Sequence, residues 1–193
     1  MEKTRAFFLG TALLCVLAGI CHAASVPVDV QHSSLTVRVF KKGLFSGLAH
    51  DHEIAAPLVS GAVDPAARSV EIHFDARGMK VLDPGTSVGD RAKVQETMLS
   101  DKVLDAPHFP EIAFVSRSVK PAGQNTYAAE GDLTLHGVIH PLTLQVSLSN
   151  GHYTGSVNIK QSDFGIAPIS LFGGSVKVKD MVEISFDVVL QTK

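Results

Sequence analysis

Residues 46–56, SGLAHDHEIAA, place His50, Asp51, His52 and Glu53 side by side. Each of these four side chains can bind a metal ion or move a proton. In an extended segment His50 and His52 project to the same face, so their imidazoles could chelate one divalent ion. Zinc would still need at least one further protein ligand. The run therefore admits three interpretations: a metal site, a polar rim that contacts a ligand's head group, and a solvated loop.

Three other histidines could complete a metal site only if the fold brings them near this run: His108, His136 and His140. Gly137 and Pro141 mark a hairpin connection, so we expect His136 and His140 at an exposed tip. Histidine pairs in surface loops bind adventitious metal more often than they form evolved sites. We therefore expect no metal cofactor, with the two histidines of residues 46–56 as the weak candidates.

Asp90 and Arg91 form a second charged group, followed by Asp101 and Asp105. An arginine among carboxylates often makes a bidentate ion pair. We favour a structural role, in which such a pair fixes a helix to the rest of the fold. A contact of Asp90 and Arg91 with the polar head of a ligand is the alternative.

The sequence carries none of the motifs that usually accompany catalysis. It has no Gly-x-Ser-x-Gly elbow, no His-Glu-x-x-His pair and no phosphate-binding loop. We therefore expect no catalytic residues and no enzyme activity. The formal net charge of −2 argues against a nucleic-acid partner, which would normally face a basic stripe.

The N-terminus has the pattern of a secretory signal peptide. Lys3 and Arg5 precede the apolar run AFFLGTALLCVLAGI, and small residues follow it up to Ala23. We expect cleavage there, which makes residues 1–23 a removed signal and residues 24–193 one mature domain. Beyond this signal no segment approaches the roughly 18–20 apolar residues of a membrane helix.

Both cysteines of the chain, Cys15 and Cys21, lie inside the expected signal. The mature chain would then contain no disulfide and would be stabilised by burial alone. Export without disulfides suits a bacterial periplasm, which is the localisation that we expect.

Most of the remaining chain alternates apolar and polar residues, which is the period of a β-strand. In SSLTVRVF, for example, Leu35, Val37 and Val39 share one face. Turn residues separate such segments, as expected for an antiparallel sandwich or barrel. About eight strands that close into a barrel could hold one small ligand inside.

Residues 86–110 interrupt this pattern and are rich in helix formers. Ser87 followed three residues later by Asp90 is a weak capping-box signature, and Pro107 and Pro110 stop any helix there. Because the apolar residues form no clean stripe, we expect one or two short helical turns that pack on the barrel.

Two long stretches, GDRAKVQETMLSDKVLDAPHFPEIAFVSRSV and GDLTLHGVIHPLTLQV, resemble the YceI-like family, small secreted bacterial proteins. The resemblance covers essentially the whole mature chain. The residues that carry it are Asp90, Arg91, Leu99, Ser100, Asp101, Phe109, Pro110, Phe114, Ser116, Gly131, Leu133, Thr134, Gly137, Val138, Pro141, Leu142, Asp163, Phe164, Gly165 and Ile166.

This resemblance implies a lipocalin-like antiparallel barrel that binds a polyisoprenoid, or a similar lipid such as one with a quinone-type tail. Transport, storage and sensing of that lipid are all compatible with the sequence, as is a homodimer. The alternatives are a periplasmic metal-binding protein that uses His50 and His52, and a filled barrel that acts as an interaction module.

The residues expected to contact such a lipid fall into two groups. The apolar lining is expected from Val37, Val39, Ile72, Phe74, Ile112, Phe114, Leu133, Leu135, Phe164, Ile184 and Phe186. Contacts at the mouth of the barrel, or with the head group, are expected from His50, His52, Asp90 and Arg91.

Overall fold

A computed structural model describes residues 25–42, 51–171 and 176–192, in which the alternating segments form one antiparallel sheet. Eight of its strands have seven residues or more, which confirms the expected barrel of about eight strands. The elements are β1 (Val26–Pro27), β2 (Ser34–Lys42), β3 (His52–Ala55), β4 (Leu58–Asp64), β5 (Ser69–Asp75), β6 (Lys80–Val81), α1 (Val88–Leu99), β7 (Glu111–Gly123), β8 (Thr126–Leu135), β9 (Val138–Ser149), β10 (His152–Lys160), β11 (Ser170–Leu171) and β12 (Val176–Val189).

Neighbouring strands pair in the order β1-β4-β5-β7-β8-β9-β10-β12-β2-β3-β6, and β11 pairs with β12. The sheet curls until the residues after β1 reach the end of β12. Val28 forms a bridge with Leu190, and the Asp29 amide donates to the Val189 carbonyl at 2.8 Å. The N-terminal segment therefore lies between β4 and β12 and closes the barrel at this end.

Register between β2 and β12 places the apolar residues of both strands on the inner face. Val37 lies opposite Ile184, and the adjacent pair, Arg38 and Glu183, points outward with 3.9 Å between Arg38 Nη1 and Glu183 Oε1. Successive strand residues face opposite sides of a sheet, so the same alternation continues along both strands. The period of two in the sequence thus gives the apolar interior directly.

Helix α1 is longer than the one or two turns expected, because it is held at its start and along its length. The Ser87 hydroxyl accepts from the Asp90 amide at 3.1 Å, which confirms the capping signature. The Gln95 side chain accepts from the Val81 amide and donates to the Met79 carbonyl, both at 2.8 Å. At the short edge strand β6, the Gln95 side chain therefore makes the backbone hydrogen bonds that a neighbouring strand would otherwise make.

Helix α1 ends at Leu99, before either proline, and a turn-rich segment leads to β7. Leu104 and Ala106 of that segment are buried in the core together with Met98 of the helix. In the part of the chain that the structure describes, no helix is long and apolar enough to cross a bilayer.

Candidate functional site

Three adjacent cavities occupy the interior of the barrel. The large cavity, about 350 Å³, lies toward the β4–β5 and β7–β8 turns, and the central cavity, about 130 Å³, follows it. The helix-side cavity, about 250 Å³, lies between α1, the end of β2 and the start of β12. Binding pockets for small molecules typically measure about 300–1,000 Å³, so the large cavity alone reaches that range.

Only single layers of side chains separate the three cavities. Leu35 and Phe74 line both the large and the central cavity. Ile54 and Met98 line both the central and the helix-side cavity. Gln161 is the polar side chain at the boundary between the central and helix-side cavities, and the other shared side chains are apolar, so rotation of a few apolar side chains would join the cavities.

The structure places most of the expected lining residues at these cavities. Those that line at least one cavity are Val37, Val39, Ile72, Phe74, Ile112, Phe114, Leu133, Leu135, Ile184 and Phe186. Phe164 instead lies in the 3-10 turn Gln161–Phe164, where it is 2% exposed and packs beside the ring of His140 at 5.7 Å. A turn, unlike a strand, does not direct alternate residues into the barrel.

Two aromatic rings of the large cavity rest on glycines of neighbouring strands. A Cβ atom at Gly131 would lie 2.8 Å from Cζ of Phe114, and one at Gly155 would lie 2.6 Å from Cζ of Phe186. Both distances are shorter than van der Waals contact, so no larger residue fits without displacing the ring. The glycines therefore leave room for these two rings beside the wall of the barrel.

His52 is the histidine that the sheet brings to the helix-side cavity, which it lines. It is the first residue of β3, and its ring donates from Nδ1 to Oδ2 of Asp83 at 2.6 Å. The other oxygen of Asp83 accepts from the Glu53 amide at 2.8 Å. The carboxylate therefore fixes both the orientation of the imidazole and the start of β3.

Asp83 is the buried charged side chain of the described residues, with 1% of its side chain exposed. It follows the edge strand β6 and has a φ of 27°. The sequence interpretation missed it, because VLDPG reads as an ordinary turn and Asp83 lies 31 residues from His52. The sequence does show a carboxylate directly before Pro-Gly, but this pattern does not indicate which residue it contacts.

Within residues 25–42, 51–171 and 176–192 no three acidic, histidine or cysteine side chains are grouped to hold an ion. His108 pairs with Asp105 at 2.8 Å instead. His50 lies outside the described residues, so its pairing with His52 stays a prediction.

The β8–β9 hairpin is confirmed, with positive φ angles of 52° at His136 and 72° at Gly137. Its histidines are half-buried rather than at an exposed tip. His136 donates from Nδ1 to the Phe164 carbonyl at 3.1 Å and lies 4.7 Å from the ring of Phe109. Packing of the hairpin against the 161–164 turn accounts for the difference.

Asp90 and Arg91 lie at the start of α1. Besides capping the helix with Ser87, Asp90 is 3.3 Å from Nζ of Lys93. Arg91 donates to the carbonyls of Leu82 and Thr86 at 3.3 and 3.5 Å, rather than forming the carboxylate pair that we expected. These contacts hold the loop that carries Asp83, because the two carbonyls lie on either side of it in the chain.

A carboxylate of β12 holds the 161–164 turn, which brings Gln161 to both the central and the helix-side cavity. Asp180 accepts from the Ser162 hydroxyl at 2.7 Å and from the Ser162 amide at 2.9 Å. These hydrogen bonds, the hydroxyl's first, lower the pKa of Asp180 below its ordinary value, and nearby Lys160 and Lys42 lower it further. The turn is therefore anchored through an ionised group.

Comparison with known proteins agrees with this architecture. The model of a family described as the YceI-like domain matches residues 27–190. A UPF0312 protein of Pseudomonas savastanoi pv. phaseolicola is 30% identical over 180 residues, which cover 86% of this chain and 87% of that protein. A UPF0312 protein of Pseudomonas putida strain W619 is 28% identical over 182 residues, or 86% and 88% of the two chains.

Solved structures share the fold at lower sequence identity. The crystal structure of BcnA from Burkholderia cenocepacia has a TM-score of 0.61 at 24% identity and covers 86% of this chain and 99% of that one. The crystal structure of the YCEI protein of Campylobacter jejuni has a TM-score of 0.51 at 14% identity, covering 72% and 82%. At these identities the likeness establishes the fold.

Proposed function

This chain belongs to the YceI-like domain family, and we propose that it binds the apolar chain of a lipid inside its barrel. The observation that carries the proposal is the series of three adjacent apolar cavities. We infer a polyisoprenoid, or a lipid with a quinone-type tail, held non-covalently and without catalysis. The cavities favour this function over a filled barrel that serves only as an interaction module.

Burial of the chain would supply the binding free energy. Each CH₂ group moved from water into the barrel contributes about 0.8 kcal/mol. In the central cavity Gln161 is the polar lining residue among the described residues, so little polar surface would have to lose water. Some of this gain is offset by ordering the lipid and by moving the side chains that separate the cavities.

His52 is the group that we expect at the polar end of the lipid. Asp83 holds its Nδ1 at 2.6 Å, which leaves Nε2 on the far side of the ring as the second hydrogen-bonding atom. The side chain is 27% exposed at the helix-side cavity. An oxygen of the head group could therefore meet an imidazole whose orientation is already set.

Lipid extraction tests the proposal directly. Purified protein would be extracted with organic solvent, the extract analysed by mass spectrometry, and the delipidated protein titrated with a fluorescent prenyl alcohol. We expect a co-purifying prenyl lipid and saturable binding of the probe. If no lipid is extracted and no prenyl chain binds, the proposed function is wrong.

A matched pair of variants tests where the chain lies. Leu133 lines the central cavity, whereas the next residue, Thr134, points to the opposite face of β8. Leu133→Trp should fill the central cavity and weaken binding of the prenyl probe at least about tenfold, while Thr134→Trp should bind like the wild type. Equal affinity of both variants would place the lipid elsewhere.

We also propose a periplasmic location. The supporting feature is the signal-peptide pattern of residues 1–23, which lie outside the described residues. Cell fractionation with N-terminal sequencing tests this, and we expect a periplasmic protein that begins near Ala24. An intact N-terminus at Met1 would contradict the proposal.

A further inference from the structure

Arg68 is the charged residue that lines the large cavity in the described part of the chain. It belongs to the turn between β4 and β5, and Ser69 beside it also lines the cavity. The other polar side chains of the lining are Tyr127 of β8 and Tyr153 of β10, and every remaining lining residue is apolar. The large cavity therefore combines an apolar wall with one cation, at the end of the barrel where the β4–β5 turn lies.

The polar groups of this lining have no partner among the residues that the structure describes. No hydrogen bond or ion pair joins the Arg68 guanidinium to another described residue, and the same holds for the hydroxyls of Tyr127 and Tyr153. Arg68 is exposed, whereas the two tyrosines are half-buried. All three groups are therefore accessible to a ligand in the large cavity.

Asp64 is the carboxylate that begins the turn of Arg68, and it bonds to the backbone. Its Oδ1 accepts from the amides of Ala66 and Ala67, both at 2.9 Å, which stabilises the turn. Other carboxylates at this end of the barrel pair with neighbouring side chains: Asp29 with His32, Glu130 with Lys120, and Asp187 with His152. Within residues 25–42, 51–171 and 176–192 none of these carboxylates forms an ion pair with Arg68.

The backbone of Arg68 has a conformation that arginine rarely adopts. Its φ is 51°, and the other described non-glycine residues with positive φ are all aspartate, asparagine or histidine. Those types are enriched at such positions, where a short polar side chain can bond to the local backbone. Glycine or asparagine would be less strained at position 68, and strain of this kind is concentrated at binding and catalytic sites.

We propose that the large cavity binds a single-chain amphiphile with an anionic head group, a carboxylate or a phosphate, and that Arg68 binds this head. A planar guanidinium matches either group, because it can donate two parallel hydrogen bonds to a pair of oxygens. The cavity of about 350 Å³ would hold the apolar chain. The inference goes beyond the proposed function, in which the polar end of a prenyl lipid meets His52 at the helix-side cavity.

Fluorescence titration with a matched pair of probes tests this proposal. The probes are a dansyl-labelled undecanoic acid and its methyl ester, which share one chain and differ in the charge of the head. We expect saturable binding of the acid that is at least about tenfold tighter than binding of the ester, since a hydrogen bond to a charged group contributes this much. Equal affinities for the two probes would overturn the proposal.

Competition identifies the head group. Lauric acid and dodecyl phosphate would each be added to the complex of the protein with the acid probe. Displacement by one of them at lower concentration assigns the preferred head, carboxylate or phosphate, and supports the proposal. If neither compound displaces the probe, the anionic head does not determine binding and the proposal is wrong.

Two variants that each remove one positive charge locate the head group. Arg68→Gln should weaken binding of the acid probe at least about tenfold and leave the ester unchanged, whereas Arg68→Lys should retain part of the affinity because it keeps the charge without the planar fork. Arg38→Gln is the matched control, because Arg38 points outward from β2, and it should bind both probes like the wild type. Equal losses in Arg68→Gln and Arg38→Gln would mean that general charge governs binding, which contradicts the proposal.

Arg68→Asn separates binding from folding. Asparagine tolerates the positive φ, so this variant should unfold at a urea midpoint equal to or above that of the wild type while it loses affinity for the acid probe. Wild-type affinity in this variant would overturn the proposal. A lower midpoint would show that Arg68 stabilises the turn by packing, which also contradicts the interpretation of its position.

Binding of the prenyl alcohol probe separates this inference from the proposed function. If the wild type prefers the acid probe to its ester but does not bind the prenyl alcohol, the anionic site stands and the proposed function is wrong. If it binds the prenyl alcohol and does not distinguish the acid from the ester, the anionic site is wrong and the proposed function stands.

Discussion

Replacing Asp83 with alanine should lower the free energy of unfolding by about 3 kcal/mol. The carboxylate accepts two hydrogen bonds, from His52 Nδ1 at 2.6 Å and from the Glu53 amide at 2.8 Å. A hydrogen bond to a charged group contributes about 1.5–3 kcal/mol, and the variant leaves the Glu53 amide without this acceptor. The positive φ of 27° at this position adds a cost for alanine.

Urea unfolding followed by circular dichroism would measure this loss, with the thermal midpoint as a second readout. For a chain of this size, about 3 kcal/mol corresponds to a decrease of about 6–12 °C. Asp83→Asn is the matched control, because its amide oxygen can still accept from Glu53 and asparagine tolerates a positive φ. We expect the asparagine variant to lose less than half as much stability.

Two outcomes would refute this reasoning. If Asp83→Ala unfolds within about 0.5 kcal/mol of the wild type, the His52–Asp83 contact does not stabilise the start of β3. If the asparagine and alanine variants lose the same stability, the loss comes from the carboxylate's charge rather than from the Glu53 hydrogen bond or the backbone.

Two further variants follow from local geometry. Gly155→Ala places a Cβ atom 2.6 Å from Cζ of Phe186 and should lower the free energy of unfolding by about 1–3 kcal/mol, measured by urea unfolding. Gly89→Ala in α1 places its Cβ atom in open space and should raise the free energy of unfolding by about 0.5–1 kcal/mol. The opposite sign for either variant would contradict the packing argument. Because Ser162 lowers the pKa of Asp180 in the folded state, its stabilisation is complete above the ordinary value of 3.8 and is lost as the pH falls through the lower folded value. The free energy of unfolding of Asp180→Asn should therefore be lower than that of the wild type at neutral pH, and the two values should converge in strong acid. A difference that stays constant at all pH values would argue against this linkage.

Several parts of the fold could be predicted from local patterns. The alternation in SSLTVRVF and VEISFDVVL determines which side chains of β2 and β12 face inward, because strand residues alternate between faces whatever their partners are. Ser87 with Asp90 marks the start of α1, and Gly137 with Pro141 indicates the β8–β9 hairpin. Each of these features depends on residues within a few positions of one another.

The length of α1 and the burial of the hairpin histidines could not be predicted in this way. Gln95 stabilises the helix by bonding to β6, and His136 is half-buried because its ring meets the Phe164 carbonyl. Both contacts join segments that are far apart in the chain. Local propensity is a weak guide wherever such contacts supply the stabilisation.

The sequence by itself determined that this protein is built from amphipathic strands with an apolar inner face. Only the tertiary structure decided that His52 meets the buried Asp83 and that three cavities remain between the inner side chains of the described residues. The physical reason is that a period of two assigns each residue to a face, whereas strand order and register decide which distant residues become neighbours on that face.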